Sequence, residues 1–326
     1  MTNEEIIAKA LDLLISNTEW NARYARYAEK VKKNLDDYEI TRNKFRAIKP
    51  FSAYTSISKA MNGFEYDIRF KGQSLGCVRV KENNVLFYPS EKYDWFENQG
   101  LSFPKIEKGA DWNSKEVSEY RSILKNNDST LKPKSPEHEV ENKLLYEFHK
   151  QSGENKSLTG IQPVILAGNF FQMPTPFKAS SHDPEYSGSG GGGIDILARI
   201  KHSKHDCRLC IMEVKDETNT SEPQSVVIQQ ALTYATFIAN LLRSESKEIW
   251  WSLFGFKSNL PEHLHIDVVS LMPEKQVADG HVDSEYVLEG LDCTLHTYSL
   301  YFDENKLKNR EMFEFTGTLP KQIENA

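Results

Sequence analysis

The stretch GIDILARIKHSKHDCRLCIMEVK, from Gly193 to Lys215, decides the fold of this 326-residue chain. Its two apolar runs, 194–200 and 209–215, are separated by a short polar segment, a pattern typical of two strands joined as a hairpin. The second run is continuously apolar over 209–212, as expected of a strand that is buried on both faces. The sequence therefore predicts a central antiparallel pair within a larger sheet.

Charged residues stand where this pair of strands would begin and end. Glu213 and Lys215 lie two apart at the end of the second strand, so they share one face while Val214 points to the other. Asp195 lies at the start of the first strand, which a hairpin places across from Glu213. Two carboxylates this close repel each other unless a cation lies between them. Because Mg²⁺ and Mn²⁺ take oxygen ligands and keep several waters, we expect one of these ions here.

The spacing of these residues carries a resemblance. Asp195, followed by Glu213 eighteen positions later (213 − 195 = 18) and then by Val214 and Lys215, resembles the D…(D/E)xK signature of the PD-(D/E)XK nuclease superfamily. The resemblance implies that Asp195 and Glu213 bind the metal ion. It also implies that Val214 lends its backbone carbonyl and that Lys215 serves the nucleophilic water. The chain departs from the pattern at Ile194, where the family often has proline.

The resemblance implies further site residues on two flanking helices. The family often adds a carboxylate from the first core helix, and Glu141 fits best because it shares a side with that helix's apolar residues. Glu137 is the competing choice. On the second helix, Gln230 and Tyr234 lie four apart and hence on one face, which resembles the QxxxY element of RecB-like nucleases. Gln230 would face the metal site or a phosphate group, and Tyr234 would contact substrate.

Each of these residues also has a plain structural interpretation. Asp195 could cap a turn after the preceding glycines, and Glu213 with Lys215 could be an exposed cross-strand charge pattern. Glu141 could be a solvated helix residue. Gln230 could be a surface amide, and the tyrosine that shares its face a core aromatic.

The order of elements also resembles the core of this superfamily. Helices are predicted near 136–150 and 223–243, and strands near 161–166, 194–200, 209–215, 248–256 and 265–271. We therefore expect an α/β fold, with a restriction-endonuclease-like mixed sheet flanked by helices in the order α-β-β-β-α-β. The polar, proline-containing stretch 125–136 is the predicted boundary. It separates an N-terminal α+β region, 1–130, from a nuclease-like domain with a C-terminal extension, 131–326.

The N-terminal region is predicted to begin with helices and to continue with a small antiparallel sheet over 64–70 and 76–88. We expect this region to be an accessory or substrate-recognition domain. Its second helix carries an apolar stripe and, on another side, a basic one. The basic stripe could be a solvated face or could contact phosphates of the substrate. It consists of Arg23, Arg26, Lys30 and Lys33.

Composition excludes several classes of protein. Hydrophobic residues make up 39% of the chain and charged residues 27%, which is typical of a globular protein rather than a disordered one. The apolar runs are too short to span a bilayer, and the N-terminus has no secretory signal, so we expect a cytoplasmic protein without membrane contact. Four cysteines are too few for a disulfide scaffold. The net charge of −7 says little about nucleic-acid binding, which depends on the local field.

Two weaker patterns are set aside. Two histidines and two cysteines lie near the predicted hairpin turn, but Cys207 and Cys210 differ by three along a strand and so point to opposite faces, unlike a zinc-chelating turn. Trp250 and Trp251 would occupy opposite faces of a later strand, where one of them could stack on a nucleic-acid base.

The sequence thus predicts a Mg²⁺- or Mn²⁺-dependent nuclease that hydrolyses DNA phosphodiester bonds with a metal-activated water. The resemblance implies a role in prokaryotic restriction or defence and allows a homodimer. The alternative is a catalytically inactive nuclease-fold module that binds nucleic acid or protein.

Overall fold

The computed structural model describes residues 1–35, 44–45, 47–57, 64–81, 84–90, 93–153, 160–178, 183–188, 191–218, 222–274, 283–309 and 315–319. In these ranges the chain forms seven α-helices and two mixed seven-stranded sheets, which confirms the general α/β class. None of the helices in these ranges has both the length and the apolar character needed to cross a membrane.

The helices and strands are numbered in chain order. The helices are α1 (Asn3–Ser16), α2 (Glu19–Lys33), α3 (Lys115–Asn126), α4 (Pro136–Gly153), α5 (Gln224–Leu241), α6 (Lys247–Leu253) and α7 (Glu304–Asn309). The strands are β1 (Phe51–Thr55), β2 (Phe64–Phe70), β3 (Gln73–Lys81), β4 (Asn84–Pro89), β5 (Ala110–Asp111), β6 (Ile161–Pro163), β7 (Ile165–Leu166), β8 (Asn169–Phe171), β9 (Ile196–Lys201), β10 (Cys207–Val214), β11 (Leu264–Pro273), β12 (Glu285–Leu288), β13 (Cys293–Phe302) and β14 (Thr316–Gly317).

The chain forms two compact units that alternate along the sequence. The first unit comprises residues 1–29, 143–164 and 172–326, and the second comprises 30–142 and 165–171. The sequence predicts two consecutive domains instead. The N-terminal 29 residues therefore group with the C-terminal part of the chain rather than with the residues that follow them.

The sheet of the first unit is built around the predicted hairpin. Its strand order is β12-β13-β11-β10-β9-β6, with β14 beside β13. Strand β9 runs antiparallel to β6 and β10, whereas β10 and β13 both run parallel to the central strand β11. Residues 209–214 of β10 are all buried, as predicted for a strand covered on both faces.

Helices of the first unit pack on this sheet and, through aromatic rings, on one another. Helix α5 lies against β10, β11 and β13, and α1 lies against α5. The rings of Trp20 and Tyr24 on α2 contact Phe237 on α5, with centroid distances of 5.7 and 4.9 Å. Tyr24 also contacts Trp250 on α6 at 6.2 Å. The predicted apolar stripe of α2 is therefore part of the core of this unit.

The second unit contains the other sheet, in the order β5-β4-β3-β2-β1-β8-β7. All neighbours in it are antiparallel except β1 and β8, so the antiparallel sheet predicted over 64–70 and 76–88 is present as strands β2, β3 and β4 of a larger sheet. Lys71 and Gly72 join β2 to β3 with φ angles of 50° and 73°, the conformation of a type I′ hairpin turn. A Cβ on Gly72 would lie 2.3 Å from the His138 backbone, so only glycine fits there.

The predicted strand 248–256 is wrong, because this segment forms helix α6. Trp250 and Trp251 are both buried on that helix, so neither is an exposed platform for a base. Gly255, with φ at 88°, follows the end of the helix and terminates it. Tertiary packing of the two indole rings overrides the β propensity of this aromatic run.

The predicted strand 161–166 is also wrong in its extent, since it breaks into two strands that belong to different sheets. Ile161–Pro163 pairs with β9, whereas Ile165–Leu166 pairs with β8. Ala167 and Gly168 connect β7 to β8 with φ angles of 56° and 78°. Alanine rarely adopts positive φ, so the sequence gives little sign of this turn.

Candidate active site

The predicted site residues of the two central strands lie together. The register pairs Met212 with Ile196, so Asp195, immediately before β9, stands opposite Glu213. The Val214 N–H donates a hydrogen bond to Asp195 Oδ2 at 2.9 Å. The hairpin thus brings the aspartate to the end of β10, as its place in the sequence predicts.

The backbone of Val214 faces the same side as Asp195. The Lys215 N–H donates to the Leu271 carbonyl on β11 at 3.0 Å. Because neighbouring residues of a strand point their backbone groups to opposite edges, the N–H and carbonyl of Val214 point to the other edge of β10. The Val214 carbonyl is therefore directed toward the β9 side, where the Asp195 carboxylate lies.

Glu213 and Lys215 form a buried ion pair. Lys215 Nζ lies 3.0 Å from Glu213 Oε1, and the two residues are only 3% and 5% exposed, respectively. An exposed cross-strand charge pattern is therefore excluded. Removing one member of such a pair leaves an uncompensated buried charge, so the two residues depend on each other.

Glu222 is a third carboxylate beside this lysine, and the sequence did not indicate it. Its Oε2 lies 3.8 Å from Lys215 Nζ, and its side chain is largely buried. Immediately after strand β10 the chain turns, and Asp216 Oδ1 accepts hydrogen bonds from both the N–H and the hydroxyl of Thr218. Glu222 stands immediately before Pro223 and helix α5, and the sequence alone does not indicate its contact with Lys215.

The donor set suits a hard divalent cation. Asp195, Glu213 and Glu222 with Lys215 carry a formal charge of −2 (1 − 3 = −2). Ser270 pairs with Glu213 in register, and its hydroxyl is buried without a hydrogen-bond partner among the described residues. Nowhere in the described ranges do three histidine, cysteine, aspartate or glutamate side chains gather so that they could hold one ion. Mg²⁺, however, needs only one or two carboxylates, because it keeps several waters.

Glu141, the predicted helix carboxylate, lies in the second unit and is 1% exposed. Its Oε1 lies 3.8 Å from Nη1 of Arg69. The guanidinium carbon of Arg69 lies 4.0 Å from the centroid of the Tyr54 ring, and Arg69 Nε donates a hydrogen bond to Asp67 Oδ2 at 2.7 Å. Burial disfavours the charge of Arg69, but Asp67, Tyr54 and Glu141 outweigh this effect and raise the pKa of Arg69. Glu141 is therefore not a solvated residue. Its assignment to the metal site stays a prediction, as does the competing Glu137, which is partly exposed.

Gln230 and Tyr234 are both buried on α5, at 3% and 4% exposure. Gln230 is therefore not a surface amide, and its Oε1 has no hydrogen-bond partner among the described residues. The neighbouring Gln229 bonds instead to the Met1 carbonyl and to Asn3 at the N-terminus. A catalytic role of Gln230 and a substrate contact of Tyr234 stay predictions.

The basic stripe on α2 is divided between two environments. Arg23 donates to the Gly188 carbonyl in the glycine-rich segment. Lys30 is half-buried, whereas Arg26 and Lys33 are exposed to solvent. Of the four residues in the stripe, only Arg26 and Lys33 are classed as exposed, which a phosphate contact requires.

Comparison with known proteins gives no relative: no family model, no curated protein and no solved structure matches the chain.

Proposed function

We propose that this protein is a Mg²⁺- or Mn²⁺-dependent nuclease that hydrolyses DNA phosphodiester bonds, with a restriction-endonuclease-like core in its first unit. The observation that carries the proposal is the junction of β9 and β10. There the Asp195 carboxylate contacts the Val214 N–H beside the buried Glu213–Lys215 pair. An aspartate, a glutamate and a lysine in this arrangement are the residues of the D…(D/E)xK signature.

The order of the elements and the pairing of the strands in the first unit's sheet agree with the proposal. Without β7 and β8, which belong to the other sheet, and the short helix α6, the elements α4, β6, β9, β10, α5 and β11 follow the order α-β-β-β-α-β that the resemblance implies. The three strands β6, β9 and β10 are antiparallel neighbours, and β11 returns parallel to β10 after helix α5. Because β9 and β10 are antiparallel, Glu213 and Lys215 at the end of β10 lie next to the start of β9.

The residues divide the chemistry among them. Asp195, Glu213 and the Val214 carbonyl would hold the cation, which supplies positive charge against the phosphodiester when bound. The Lys215 ammonium, held at 3.0 Å by Glu213, can donate hydrogen bonds to an attacking water or to a phosphate oxygen. Glu222 holds the same ammonium from a second direction. Fixing these donors before substrate arrives lowers the reorganisation that hydrolysis requires.

A cleavage assay tests the proposal. Purified protein is incubated with supercoiled plasmid, linear duplex and single-stranded DNA in Mg²⁺, Mn²⁺ or EDTA. We expect metal-dependent cutting that falls by about 100-fold or more in Lys215→Ala, the usual cost of losing a transition-state donor. Lys257→Ala, an exposed lysine of the same unit, is the matched control and should cut normally.

Metal binding separates an enzyme from an inactive module. A thermal shift with Mn²⁺ that disappears in Asp195→Ala supports the nuclease. Cutting that persists in EDTA, or Mn²⁺ binding that is equal in both proteins, contradicts the proposed site. A folded protein that neither cuts nor binds Mn²⁺ would favour the inactive nucleic-acid or protein-binding module.

A further inference from the structure

Lys215 lies between two carboxylates that come from different parts of the first unit. Its Nζ is 3.0 Å from Glu213 Oε1, at the end of β10, and 3.8 Å from Glu222 Oε2, just before α5. Glu222 has the most exposed of the three side chains, and it is only 12% exposed. Because water screens these charges little, they act on one another strongly. One ammonium therefore serves two competing carboxylates.

The charges of the proposed metal site balance in one way when a divalent cation is bound. Asp195 and Glu213 together carry a formal charge of −2 (−1 − 1 = −2), which one such cation neutralises. Glu222 and Lys215 then neutralise each other. If Lys215 stayed with Glu213 instead, the Glu222 carboxylate would lose its balancing charge, and burial makes that loss costly. The charges thus favour a different lysine partner with the cation than without it.

Repulsion between the cation and the ammonium acts in the same direction. Mg²⁺ lies about 2.1 Å from its oxygen ligands, so an ion on Glu213 Oε1 would be no more than about 5 Å from Lys215 Nζ. The double charge of the ion repels the ammonium twice as strongly as a single charge would at that distance. The contacts with Glu213 and Glu222 differ by only 0.8 Å (3.8 − 3.0 = 0.8). The flexible four-carbon stem of lysine covers such a distance readily.

Glu222 belongs to a segment that is anchored on the sheet of the first unit. Gln224, two residues later, is 2% exposed, and its Nε2 donates a hydrogen bond to the Ser299 hydroxyl on β13. Its Oε1 accepts a hydrogen bond from the Tyr301 hydroxyl at 2.7 Å. Pro223 stands between Glu222 and Gln224 and restricts the backbone there. The backbone of Glu222 is therefore held close to Lys215.

Glu213 also has a second hydrogen-bond donor beside it. Ser270 on β11 pairs with Glu213 in register, so the two side chains share one face of the sheet. The Ser270 hydroxyl is fully buried, and no described residue forms a hydrogen bond with it. Carboxylates that bind metal ions are usually held by a hydrogen bond from such a neighbour. The serine can therefore support Glu213 after the ammonium has left it.

We propose that Lys215 changes its partner from Glu213 to Glu222 when a divalent cation binds, so that Glu222 positions the ammonium in the metal-bound protein. This inference rests on the proposed nuclease site and adds a positioning residue to it. The change releases Glu213 to bind the cation together with Asp195. An ammonium has three N–H donors, so a bond to Glu222 is compatible with donation to an attacking water or a phosphate oxygen.

Calorimetric titration of the full chain with Mn²⁺ tests the exchange without an activity assay. We expect Glu222→Gln to lower the Mn²⁺ affinity by about tenfold or more, because Lys215 then stays with Glu213 and opposes the cation. Glu222→Asp keeps the charge and should recover most of this loss. Glu262→Gln, which removes an exposed carboxylate of the same unit, is the matched control and should bind as the wild type does. If Glu222→Asp binds as weakly as Glu222→Gln, the residue serves only the start of α5 and the proposal is overturned.

The same titration in a Lys215→Met background separates partner exchange from the loss of one negative charge. Without the ammonium there is no partner to transfer, so Glu222→Gln should lower the Mn²⁺ affinity by a smaller factor than it does in the wild type. An equal factor in both backgrounds means that only net charge matters, and it overturns the exchange. Circular dichroism checks the fold of each variant, and if Lys215→Met does not fold, the comparison of Glu222→Asp with Glu222→Gln decides.

DNA cleavage then distinguishes this inference from the proposed function. At saturating Mn²⁺ we expect Glu222→Gln to lower kcat while KM for DNA stays the same, because the ammonium is misplaced only at the reacting phosphate. Wild-type cutting together with an unchanged Mn²⁺ affinity in Glu222→Gln overturns the exchange and leaves the nuclease. The expected pattern of Mn²⁺ affinities without any cutting supports the exchange and contradicts the nuclease. A folded wild type that does not bind Mn²⁺ overturns both.

Discussion

Asp195 has a structural contact and a proposed metal contact, and two substitutions separate them. Its Oδ2 accepts the Val214 N–H at 2.9 Å, and an amide oxygen can accept the same bond. We therefore expect Asp195→Asn to keep its stability within about 1 kcal/mol but to lose Mn²⁺ binding, because the amide is uncharged. Asp195→Ala should lose Mn²⁺ binding and also about 1–3 kcal/mol of stability.

Urea denaturation in EDTA and calorimetric titration with Mn²⁺ measure these two properties of Asp195. If the asparagine variant binds Mn²⁺ as tightly as the wild type does, the aspartate is only a structural acceptor.

The buried Glu213–Lys215 pair makes a second prediction at this scale. Lys215→Met leaves two carboxylates next to an apolar side chain, so we expect it to destabilise the protein by about 3–5 kcal/mol in the absence of metal. In Glu213→Gln/Lys215→Met the buried charge is smaller, and part of this loss should return. A double-mutant cycle in urea measures the coupling. Additive losses would mean that the 3.0 Å contact contributes nothing to stability.

Residue positions in this site could be predicted only where one hairpin determines them. The alternation of β10 puts Glu213 and Lys215 on one face, and antiparallel pairing brings Asp195 opposite. Glu222 could not be predicted, because its contact depends on the path of the chain between strand and helix. The Arg69 partner of Glu141 lies 72 positions earlier in the chain (141 − 69 = 72), beyond any local pattern.

At the scale of elements, helix α2 allows a test of whether the N-terminal helices are needed for the first unit to fold. A fragment of residues 131–326, cut at the boundary that the sequence predicts, lacks Trp20 and Tyr24, whose rings contact Phe237. We expect this fragment to lose cooperative thermal unfolding and near-ultraviolet circular dichroism, because α5 and α6 lose their aromatic cover. Phe237→Ala in the full chain should cost about 3–5 kcal/mol by chemical denaturation.

A 131–326 fragment that unfolds cooperatively, at a temperature near that of the full chain, would show that the N-terminal helices are dispensable. The less drastic Phe237→Leu keeps most of the side-chain volume and is the control for the alanine variant.

Elements with a regular period could be predicted, and elements decided by packing could not. Helices α4 and α5 and strands β9, β10 and β11 lie within a few residues of their predicted bounds. The run IWWSLFGF has the composition of a strand, yet it forms a helix because Trp250 packs against Tyr24 and Phe254.

At the scale of the whole molecule, the two compact units predict how the protein unfolds. Each has its own sheet and buried core, so we expect calorimetry to resolve more than one transition. Phe87 is 1% exposed in the second unit, and Phe87→Ala should lower the transition of that unit by several degrees. Val268→Ala, from the buried centre of β11, should lower the other transition. A single two-state peak that both variants shift equally would contradict independent units.

The alternation of the two units could not be predicted from composition. A polar stretch such as 125–136 indicates a surface segment, but here both of its flanks belong to the second unit. The junction at 142–143 falls inside helix α4, where the helical pattern continues without a break. Long-range pairing, such as that of β1 with β8, decides the division instead.

The aromatic contact between α2 and α5 also has a consequence for the synthesis of the protein on the ribosome. Trp20 meets Phe237, which is synthesised 217 residues later (237 − 20 = 217). At about 5–20 residues per second, the nascent chain presents its first aromatic stripe for roughly 10–40 s before the covering helix exists. During this interval the apolar side of the N-terminal helices is without the aromatic cover that Phe237 provides in the folded chain.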